Sequence, residues 1–521
     1  MKEIYPDMQF LGYGNGNGYG DFYFKTLSDD QAGMSFAKWT YPDNAPSTSA
    51  TWKNGWIEVR RANIMLENVP TVASLDEATK NHWLGVARLM RAWQYYHLVR
   101  MYGNLPWIDK ALNINDEGEI YGNREDRDMV MDKVLEDLDF AVTNIKDISS
   151  KTTWSRSLAN AMKAEVCLYE GTFRKYRKNE DGQQAPDATG AARYLTACKE
   201  ACLAVMSKGY KLNTSYQGNY NSTDLSSNPE MILYKAYKEG LLMHSTIDYT
   251  CSSTQISGMS KNAFESYLFK DGKPMALTSL NKSDEAPFQY GHLSLKDILA
   301  VRDKRLAQTI DTVLLYNGRG FTRFNTGMES TSSTGYGVAK YDNEAIPEGF
   351  RSQSGKNYTH APLFWLSVIY LNYAEACAEL GNITQDDLDK SINLLKDRAG
   401  LPHLNPIVGF SDPANNHGVS DLIWEIRRER RCELMFDNDN RYWDLIRWHQ
   451  LDKLDTTKYP DIILGANVAN DMDGCEANKV GKYIDGSKDG SRIYDKKHYL
   501  YPIPTGQIAL NPQLAPNNPG W

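Results

Sequence analysis

Apolar residues recur at the spacing of an α-helix over two long parts of the chain. In the segment 75–102, Trp83, Val86, Met90 and Trp93 fall on one helical face, and Gly103 ends the pattern. The same period predicts helices over 51–69, 75–102, 124–148, 157–176, 191–208, 364–380, 384–399, 420–436 and 441–449. We therefore expect a mainly α fold.

Several of these predicted helices form pairs that are joined by short turns. The clearest pair lies in residues 366–400, where a Gly-Asn turn interrupts the helical period. Ala374, Ala376 and Ala378 leave room for a neighbouring helix to pack closely. Such pairs resemble tetratricopeptide (TPR) hairpins, although the full TPR consensus is absent. We predict a superhelical scaffold of TPR-like helical pairs.

The helical period fades between residues 211 and 360, where Gly, Ser, Asn and Tyr are frequent. Long loops inside a compact domain usually serve a function, so we predict a loop-rich inserted subdomain that contains short strands. Its regular pieces are expected at 231–236, a strand, and near 295–306, a helix. The chain 1–521 then forms one unit: scaffold at 51–210 and 361–450, inserted subdomain at 211–360, and an irregular C-terminal segment at 451–521 packed on the scaffold.

The composition of the chain stands out in its aromatic content, and its charge bears on possible partners. The chain has 12 Trp, 32 Tyr and 15 Phe, and many of the tyrosines lie in loop-like segments. With 58 Lys and Arg against 66 Asp and Glu, the formal net charge is -8, and no dense basic run is present. Phosphate neutralisation needs such runs, so we exclude nucleic acid as a partner.

The sequence also bears on membrane insertion and redox chemistry. It has no run of 18 apolar residues, so no transmembrane helix is expected. The N-terminal sequence lacks the basic and apolar regions of a signal peptide, so either none existed or it was removed. The seven cysteines are scattered without zinc spacing, and we predict that they are mostly reduced thiols in the core.

Residues 427–448 carry the most specific pattern, RRERRCELMFDNDNRYWDLIRW, which predicts two helices that meet at the turn DNDN. Charges at helical spacing favour ion pairs, and arginine stems pack on aromatic rings. The stretch resembles the signature of the SusD/RagB family. The matching positions are Arg427, Arg428, Glu433, Leu434, Arg441, Asp444, Leu445, Arg447 and Trp448. Asp439-Asn440 replaces the small acidic-Gly turn that is usual in the family.

Four further segments follow the order that they have in the same family. They are RLMRAWQYYHLVRMYGNLP at 88–106, LNYAEACAELG at 371–381, LLKDRAGLP at 394–402 and YLYPIPTGQIALNPQLAPNNPGW at 499–521. Five matches in order span most of the chain, which makes a chance resemblance improbable.

The resemblance implies a function and a location. Members of this family are lipoproteins of the outer-membrane surface that are built on TPR-like helices. They bind oligosaccharides or polysaccharides, do not cleave them, and cover a TonB-dependent transporter of the SusC type. Their lipid is attached to a cysteine just after the signal peptide. Since no cysteine precedes Cys167 here, we expect that the anchor was removed or replaced.

A glycan site needs aromatic faces for the sugar C–H groups and polar side chains for the hydroxyls, both on exposed loops. The family's ligand residues lie in variable loops, so no motif transfers them to this chain. The first candidates are Trp39 and Tyr41, because their loop corresponds in order to one that often supplies a stacking aromatic residue in the family. The alternative is that Trp39 caps an edge of the core.

The remaining candidates lie in two other loop regions. In the predicted subdomain they are Tyr290 and Tyr336 as stacking residues, with Arg323 and Asn325 as partners for hydroxyls. In the N-terminal Gly/Asn-rich loop they are Asn15 and Asn17, together with Tyr19 and Asp21. A plain surface turn is the alternative for the N-terminal loop.

Two other function classes fit a helical, aromatic-rich chain. A helical-barrel glycoside hydrolase would need two carboxylates about 5 to 9.5 Å apart. No catalytic motif is recognisable, and Glu375, on an Ala-rich helix, is better explained as an ion-pair partner. A TPR-like scaffold that binds a protein or peptide is the third hypothesis.

We expect neither a cofactor nor a resident metal ion. The acidic turns DNDN at 437–440 and DMDG at 471–474 gather oxygen atoms but lack the spacing and closing Glu of an EF-hand loop. We interpret both as polar turns. An adventitious calcium ion at either turn would show itself as a change in melting temperature on addition of a chelator.

Overall fold

The computed structural model describes residues 12–22, 28–33, 44–179, 182–251, 257–280, 287, 293–316, 319, 321–325, 330–437, 440–487 and 490–521. Within these residues helices dominate, and the strands are short. The prediction of a mainly α fold is confirmed.

The first part of the chain consists of a short strand and six helices. Side-chain caps set the starts of the long helices: Ser49 accepts the N–H of Trp52 at 3.2 Å, and Asp76 accepts that of Thr79 at 2.7 Å. The elements are β1 (Gln31–Gly33), α1 (Ala50–Asn68), α2 (Glu77–Tyr102), α3 (Glu117–Ile120), α4 (Arg127–Asn144), α5 (Arg156–Tyr176) and α6 (Ala188–Met206).

The middle of the chain is rich in loops, and its regular elements are short. They are β2 (Met231–Lys235), α7 (Thr246–Cys251), β3 (Ser257–Met259), α8 (Lys261–Ser266), α9 (Lys296–Ala300), α10 (Leu306–Thr309), α11 (Glu348–Arg351) and β4 (Ala361–Trp365). Two antiparallel strand pairs form, β1 with β3 and β2 with β4. The predicted strand at 231–236 corresponds to β2.

Helices return in the last part of the chain, and one small sheet follows them. The elements are α12 (Leu366–Glu379), α13 (Gln385–Asp389), α14 (Ile392–Ala399), α15 (Asp421–Glu433), α16 (Asn440–Arg447), β5 (Leu464–Asn467), β6 (Lys479–Val480), β7 (Tyr483–Asp485) and α17 (Thr505–Leu510). The three strands form a sheet in the order β5-β7-β6. The C-terminal segment therefore has more regular structure than its sequence indicated.

The long helices pack one on the next in a continuous series. α1 contacts α2, α2 contacts α4, α4 contacts α5, and α5 contacts α6. α12 packs against α6 and carries the series on to α15. This succession of neighbouring helices agrees with the predicted TPR-like scaffold.

Three predicted helical segments differ from the structure in kind, because part of one is strand and the other two are divided. The segment 364–380 starts as strand, because Phe364 and Trp365 pair with β2, and α12 begins only at Leu366. The segment 384–399 is divided into α13 and α14 at Ser391, whose backbone is not helical (φ -136°, ψ -96°). The segment 295–306 is divided into α9 and α10, and the carboxylate of Asp303 accepts the N–H of Arg305 between them.

The signature helices α15 and α16 are joined to α12 by buried ion pairs. Arg447 donates to both carboxylate oxygens of Glu375 at 2.6 and 2.8 Å, and Nε1 of Trp448 donates to Glu375 at 2.6 Å. Arg430 and Arg447 both contact Asp444. Burial would raise the pKa of Glu375, but Arg447 outweighs it and lowers that pKa to about 2. Glu375 is thus an ion-pair partner, as predicted.

The core contains the other residues that were assigned to packing. Trp52, Trp443 and Trp448 are buried, and Trp56 is partly buried against the core. All seven cysteines are free and buried, which confirms their prediction as core thiols. None of the helices in the described ranges is both long and apolar enough to cross a bilayer.

Candidate functional site

The N-terminal loop, residues 12–22, is anchored in the core by Tyr13. This side chain is 1% exposed, and its hydroxyl donates to the carbonyl of Tyr220 at 2.5 Å. Its backbone N–H donates to the hydroxyl of Tyr237 at 3.0 Å, and its ring lies edge-on to Phe22. Since Tyr220 and Tyr237 belong to the middle of the chain, that loop-rich part of the chain holds this loop in place.

A tight turn brings residues 15–18 to the surface. Gly14 has a φ of +88°, and a Cβ atom there would lie 2.3 Å from the carbonyl oxygen of Gly18, so only glycine fits. The N–H of Gly18 donates to the carbonyl of Asn15 at 3.0 Å and closes the turn. Asn15 and Asn17 are both exposed. The turn thus presents two amide side chains to solvent on a held backbone.

Residues 243–249 lie directly beneath this turn. The N–H of Gly16 donates to the carbonyl of Met243 at 2.8 Å, and the hydroxyl of Ser245 donates to the carbonyl of Gly16 at 2.7 Å. The N–H of Gly355 donates to the same Ser245 hydroxyl at 2.7 Å. Three separate segments of the chain therefore meet at the turn.

Two tyrosine rings meet at this place. Tyr19 is 49% exposed, and its ring centroid lies 5.4 Å from that of the partly buried Tyr249, with 57° between the ring planes. The hydroxyl of Tyr249 donates to the carbonyl of Asn17 at 3.4 Å. Partial burial, and then Tyr249, raise the pKa of Tyr19, so its hydroxyl stays protonated at neutral pH. We name Asn15, Asn17, Tyr19 and Tyr249 the tyrosine face.

The tyrosine face combines what a neutral polar ligand with apolar patches needs. Aromatic rings offer apolar contact area, while the phenol and amide groups can donate and accept hydrogen bonds. The four residues that define the face are neutral, so they suit recognition by stacking and neutral hydrogen bonds better than acid–base chemistry.

The structure places the predicted ligand residues in different surroundings. Asn15 and Asn17 lie on the tyrosine face, as described above. Trp39, Tyr41 and Tyr290 lie outside the described residues.

Tyr336 is a core residue in this structure, contrary to its prediction as a stacking residue. It is 3% exposed, and its ring stacks on Phe264 with 4.3 Å between centroids and 1° between planes. The Gly- and Ser-rich sequence around it indicated a surface loop. That loop instead folds inward, where the N–H of Met259 in β3 donates to the carbonyl of Tyr336 at 3.1 Å.

Arg323 and Asn325 have protein partners in this structure. The guanidinium of Arg323 forms an ion pair with Asp311, and both side chains are largely buried. This pairing leaves Arg323 poorly placed for sugar hydroxyls, in contrast to its prediction. Asn325 is exposed and donates to the carboxylate of Glu348 at 2.8 Å.

Tyr249 is the residue on this face that the sequence did not indicate. It lies in α7, a one-turn helix inside a region that the helical period does not mark. Its meeting with Tyr19 depends on the docking of the N-terminal loop, which no local pattern encodes. Its position in a Tyr-bearing segment of the loop-rich region is the only signal that could have suggested it.

A cavity of about 320 Å³ between α1, α2 and β4 bears on the hydrolase alternative. Glu58 and Glu165 both line it. Glu58 accepts from Arg61 at 2.6 Å, while burial raises the pKa of Glu165 against the opposing effect of Arg100. A carboxyl with a raised pKa in a cavity is a feature that a general acid also has, so Glu165 is the residue with which to test that alternative.

In the two acidic turns, the carboxylates of Asp437 and Asp471 already accept hydrogen bonds from other side chains of the protein. Asp437 accepts from the ammonium of Lys340 at 2.7 Å and from the hydroxyl of Tyr220 at 2.8 Å. Asp471 accepts from Tyr316 at 2.5 Å and pairs with Arg319. Within the described ranges, no three His, Cys, Asp or Glu side chains converge in a way that could hold a metal ion.

Several known proteins are similar to this chain in sequence and in fold. "SusD-like protein P2" of Formosa agariphila is 23% identical over 495 residues, which are 92% of this chain and 82% of that protein. The crystal structure of a SusD-like carbohydrate-binding protein from Bacteroides fragilis has a TM-score of 0.73 at 21% identity and covers 98% of both chains. A laminarin-binding SusD-like protein has a TM-score of 0.59 at 19% identity, over 100% of this chain and 98% of that one.

Family models match both parts of the chain. The model described as "Starch-binding associating with outer membrane" matches residues 19–168, and the model described as "SusD family" matches residues 204–521. The second match covers more than half of the chain and includes the buried signature of α15 and α16. This chain belongs to the SusD family.

Proposed function

We propose that this protein captures oligosaccharides or polysaccharides at the bacterial cell surface and does not cleave them. The observation that carries the proposal is the pair of Tyr19 and Tyr249, whose ring centroids are 5.4 Å apart. The turn that precedes Tyr19 is held by hydrogen bonds that involve Ser245 and Gly355. We assign glycan contact to the tyrosine face.

The geometry of this face supports a sugar as the ligand. An exposed aromatic ring gives the C–H face of a pyranose apolar contact, and Asn15 and Asn17 can bond to its hydroxyls. The hydrogen bonds of Ser245 and Gly355 hold the loop before the ligand arrives. A loop that is ordered in advance loses less conformational entropy on binding.

Similar proteins support the same ligand class. One solved relative is described as carbohydrate-binding and another as laminarin-binding. These descriptions favour a glycan over a peptide for a protein of this family. The linkage and the source of the glycan are open to the experiment below.

We further propose that the glycan is passed to a SusC-like TonB-dependent transporter of the outer membrane. One matched family model is described as associating with the outer membrane, which supports this location. A lipid anchor on an N-terminal cysteine of the precursor would hold the protein at the cell surface. Purification of the tagged full-length protein from outer membranes should recover such a transporter, and its absence would contradict this part of the proposal.

Binding is tested by titrating a glycan panel into the purified protein and into the variants Tyr19→Ala and Tyr249→Ala. Each variant should bind the retained glycan more weakly, because each removes one ring of the pair. Tyr121→Ala is the matched control, since Tyr121 is 47% exposed and lies away from this face in the sequence. Equal affinities in all proteins would contradict the site, and retention of no glycan would favour the peptide-scaffold hypothesis.

Catalysis is tested in the same samples by chromatography of the glycans after long incubation. We expect the glycans to be recovered at their original length. Shortened products that disappear in Glu165→Gln would instead support the hydrolase alternative, with Glu165 as its acid. Loss of cleavage in that variant is informative only if its melting temperature stays near that of the parent protein.

A further inference from the structure

A second and larger cavity, of about 500 Å³, lies between α8, α15 and the segment 448–462. None of the four residues of the tyrosine face lines it. The signature region supplies Arg427, Arg428, Arg431, Arg441 and Trp448 to its wall, and the other lining residues come from several separate segments.

Most of the positive charge on this wall is already neutralised by the protein. Four arginines line it, and each contacts a carboxylate oxygen at 3.0 Å or less. The pairs are Arg427 with Glu379, Arg428 with Glu425, Arg431 with Asp30, and Arg441 with Asp29. Arg428, Arg431 and Arg441 are thereby committed to the fold, whereas Nε and Nη1 of Arg427 have no hydrogen-bond partner among the described residues.

Lys453 is different from the arginines. Among the described residues its ammonium group has neither a hydrogen bond nor a carboxylate partner, and it lies 4.6 Å from the centre of the Trp424 ring. Burial, and then Arg441, lower the pKa of Lys453 to about 7 against the opposing effect of Asp29. The amine of Lys453 is therefore only partly protonated at pH 7, and a carboxylate that enters the cavity would stabilise its protonated form.

Gln450 is a second polar side chain of the cavity wall that has no partner among the described residues. It is 4% exposed and lines the cavity, yet its side-chain amide has no hydrogen bond within the part of the chain that the structure describes. Its amide atoms are not among the fully buried unpaired side-chain atoms, so they face the open space of the cavity. An amide that can both donate and accept is a suitable partner for a hydroxyl group of a ligand.

Three aromatic side chains, Trp424, Trp448 and Tyr459, also line the cavity. Nε1 of Trp424 donates to Asp412 at 3.2 Å, and the hydroxyl of Tyr459 accepts from the amide of Asn416 at 3.1 Å. The polar edges of both rings are therefore already bonded within the protein. What these rings add to the cavity is apolar contact area.

We propose that this cavity binds an acidic sugar residue, with its carboxylate at Lys453, a hydroxyl at Gln450 and its C–H face against Trp424 or Tyr459. The ligand class follows from the combination of one unpaired cation, one unpaired amide and aromatic walls. An acidic peptide would use the ammonium group but has no need of the aromatic rings on the wall. The site is separate from the tyrosine face, so it does not depend on glycan binding there.

The test is calorimetric titration of the full chain with sodium glucuronate, and with glucose as the uncharged counterpart at equal ionic strength. We expect glucuronate to bind at least tenfold more tightly than glucose. Lys453→Met keeps an unbranched side chain but removes the ammonium group over Trp424, and it should weaken glucuronate binding at least tenfold. Gln450→Leu should also weaken it. Lys458→Met is the control, since Lys458 is 54% exposed in its side chain and does not line the cavity.

Several results would overturn this proposal. They are the absence of glucuronate binding, equal affinities for glucuronate and glucose, or an unchanged affinity in Lys453→Met with a normal melting temperature. Binding of a Glu-rich peptide without binding of glucuronate would assign the cavity to a peptide instead. Tyr249→Ala should leave glucuronate binding unchanged, so failure of this site and failure of the tyrosine face can be distinguished.

Discussion

The signature helices and the tyrosine face use their polar groups in opposite ways. In α15 and α16 the charged side chains are buried and bonded to one another, as in the contacts of Arg447 with Glu375 and Asp444. On the tyrosine face, Asn15, Asn17 and Tyr19 are exposed. Buried pairs require fixed partners, whereas a ligand site must keep polar groups and aromatic faces accessible. The residues that identify the family are therefore not the ones that can meet the proposed glycan.

The largest expected effect is on the free energy of unfolding, and it distinguishes the signature helices from the tyrosine face. Arg447→Met leaves the Glu375 carboxylate buried without its guanidinium partner, and loss of one member of a buried pair costs about 3 to 5 kcal/mol. The free energy of unfolding in urea measures this loss. Glycan affinity of the folded variant should stay unchanged.

The matched control is Lys133→Met, whose partner Glu136 is exposed. An exposed pair contributes about 0 to 1 kcal/mol, so this variant should unfold almost like the parent protein. A loss below about 1 kcal/mol in Arg447→Met would show that the signature pairs are not structural.

A second prediction concerns Tyr336, which the sequence assigned to the binding site and which the structure places in the core. Tyr336→Ala removes a buried ring that stacks on Phe264, and such truncations cost about 3 kcal/mol or more. The same urea titration measures it. Glycan affinity should be retained, whereas a loss of affinity at unchanged stability would return Tyr336 to the binding site.

The third prediction uses acid to weaken the support of the tyrosine face. His244 is fully buried, its ring lies 5.0 Å from that of Tyr13, and burial lowers its pKa to about 3. The unfolded chain protonates this histidine below a pH of about 6.5, while the folded chain does not. The stability contribution is thus present above pH 6.5 and is lost as the pH falls towards 3, by about 2 to 3 kcal/mol at pH 4.5.

This dependence of stability on pH is measured by urea unfolding at pH 7 and pH 4.5. In His244→Asn the part of the acid sensitivity that comes from this residue should disappear, while the exposed His403→Asn should keep the profile of the parent protein. If His244→Asn and the parent protein lose equal stability on acidification, the assignment to His244 is wrong.

The smallest expected effect concerns Trp39, which lies outside the described residues. As a solvent-facing stacking residue, Trp39→Ala should weaken glycan binding by about 1 to 3 kcal/mol with little change in melting temperature. An unchanged affinity would remove Trp39 from the site. A large loss of stability would favour the alternative in which Trp39 caps an edge of the core.

Several elements could be predicted because their determinants are local. The helical period and the caps at Ser49 and Asp76 are present in a few consecutive residues, and α1 and α2 form close to their predicted ranges. The start of α12 was misplaced, because the apolar run before it serves equally well as strand β4. Pairing with β2 is what makes this run a strand and not the first turn of a helix.

The sequence by itself determined the mainly α scaffold, the buried role of Glu375 and the family, through a period and a signature that each lie within one stretch of chain. The tertiary structure alone decided which loop residues meet. It paired Tyr19 with Tyr249, buried Tyr336 and bonded Arg323 to Asp311. The physical reason is that helical spacing is encoded by near neighbours. Loop contacts instead depend on residues far apart in the chain, which meet only after the scaffold has packed.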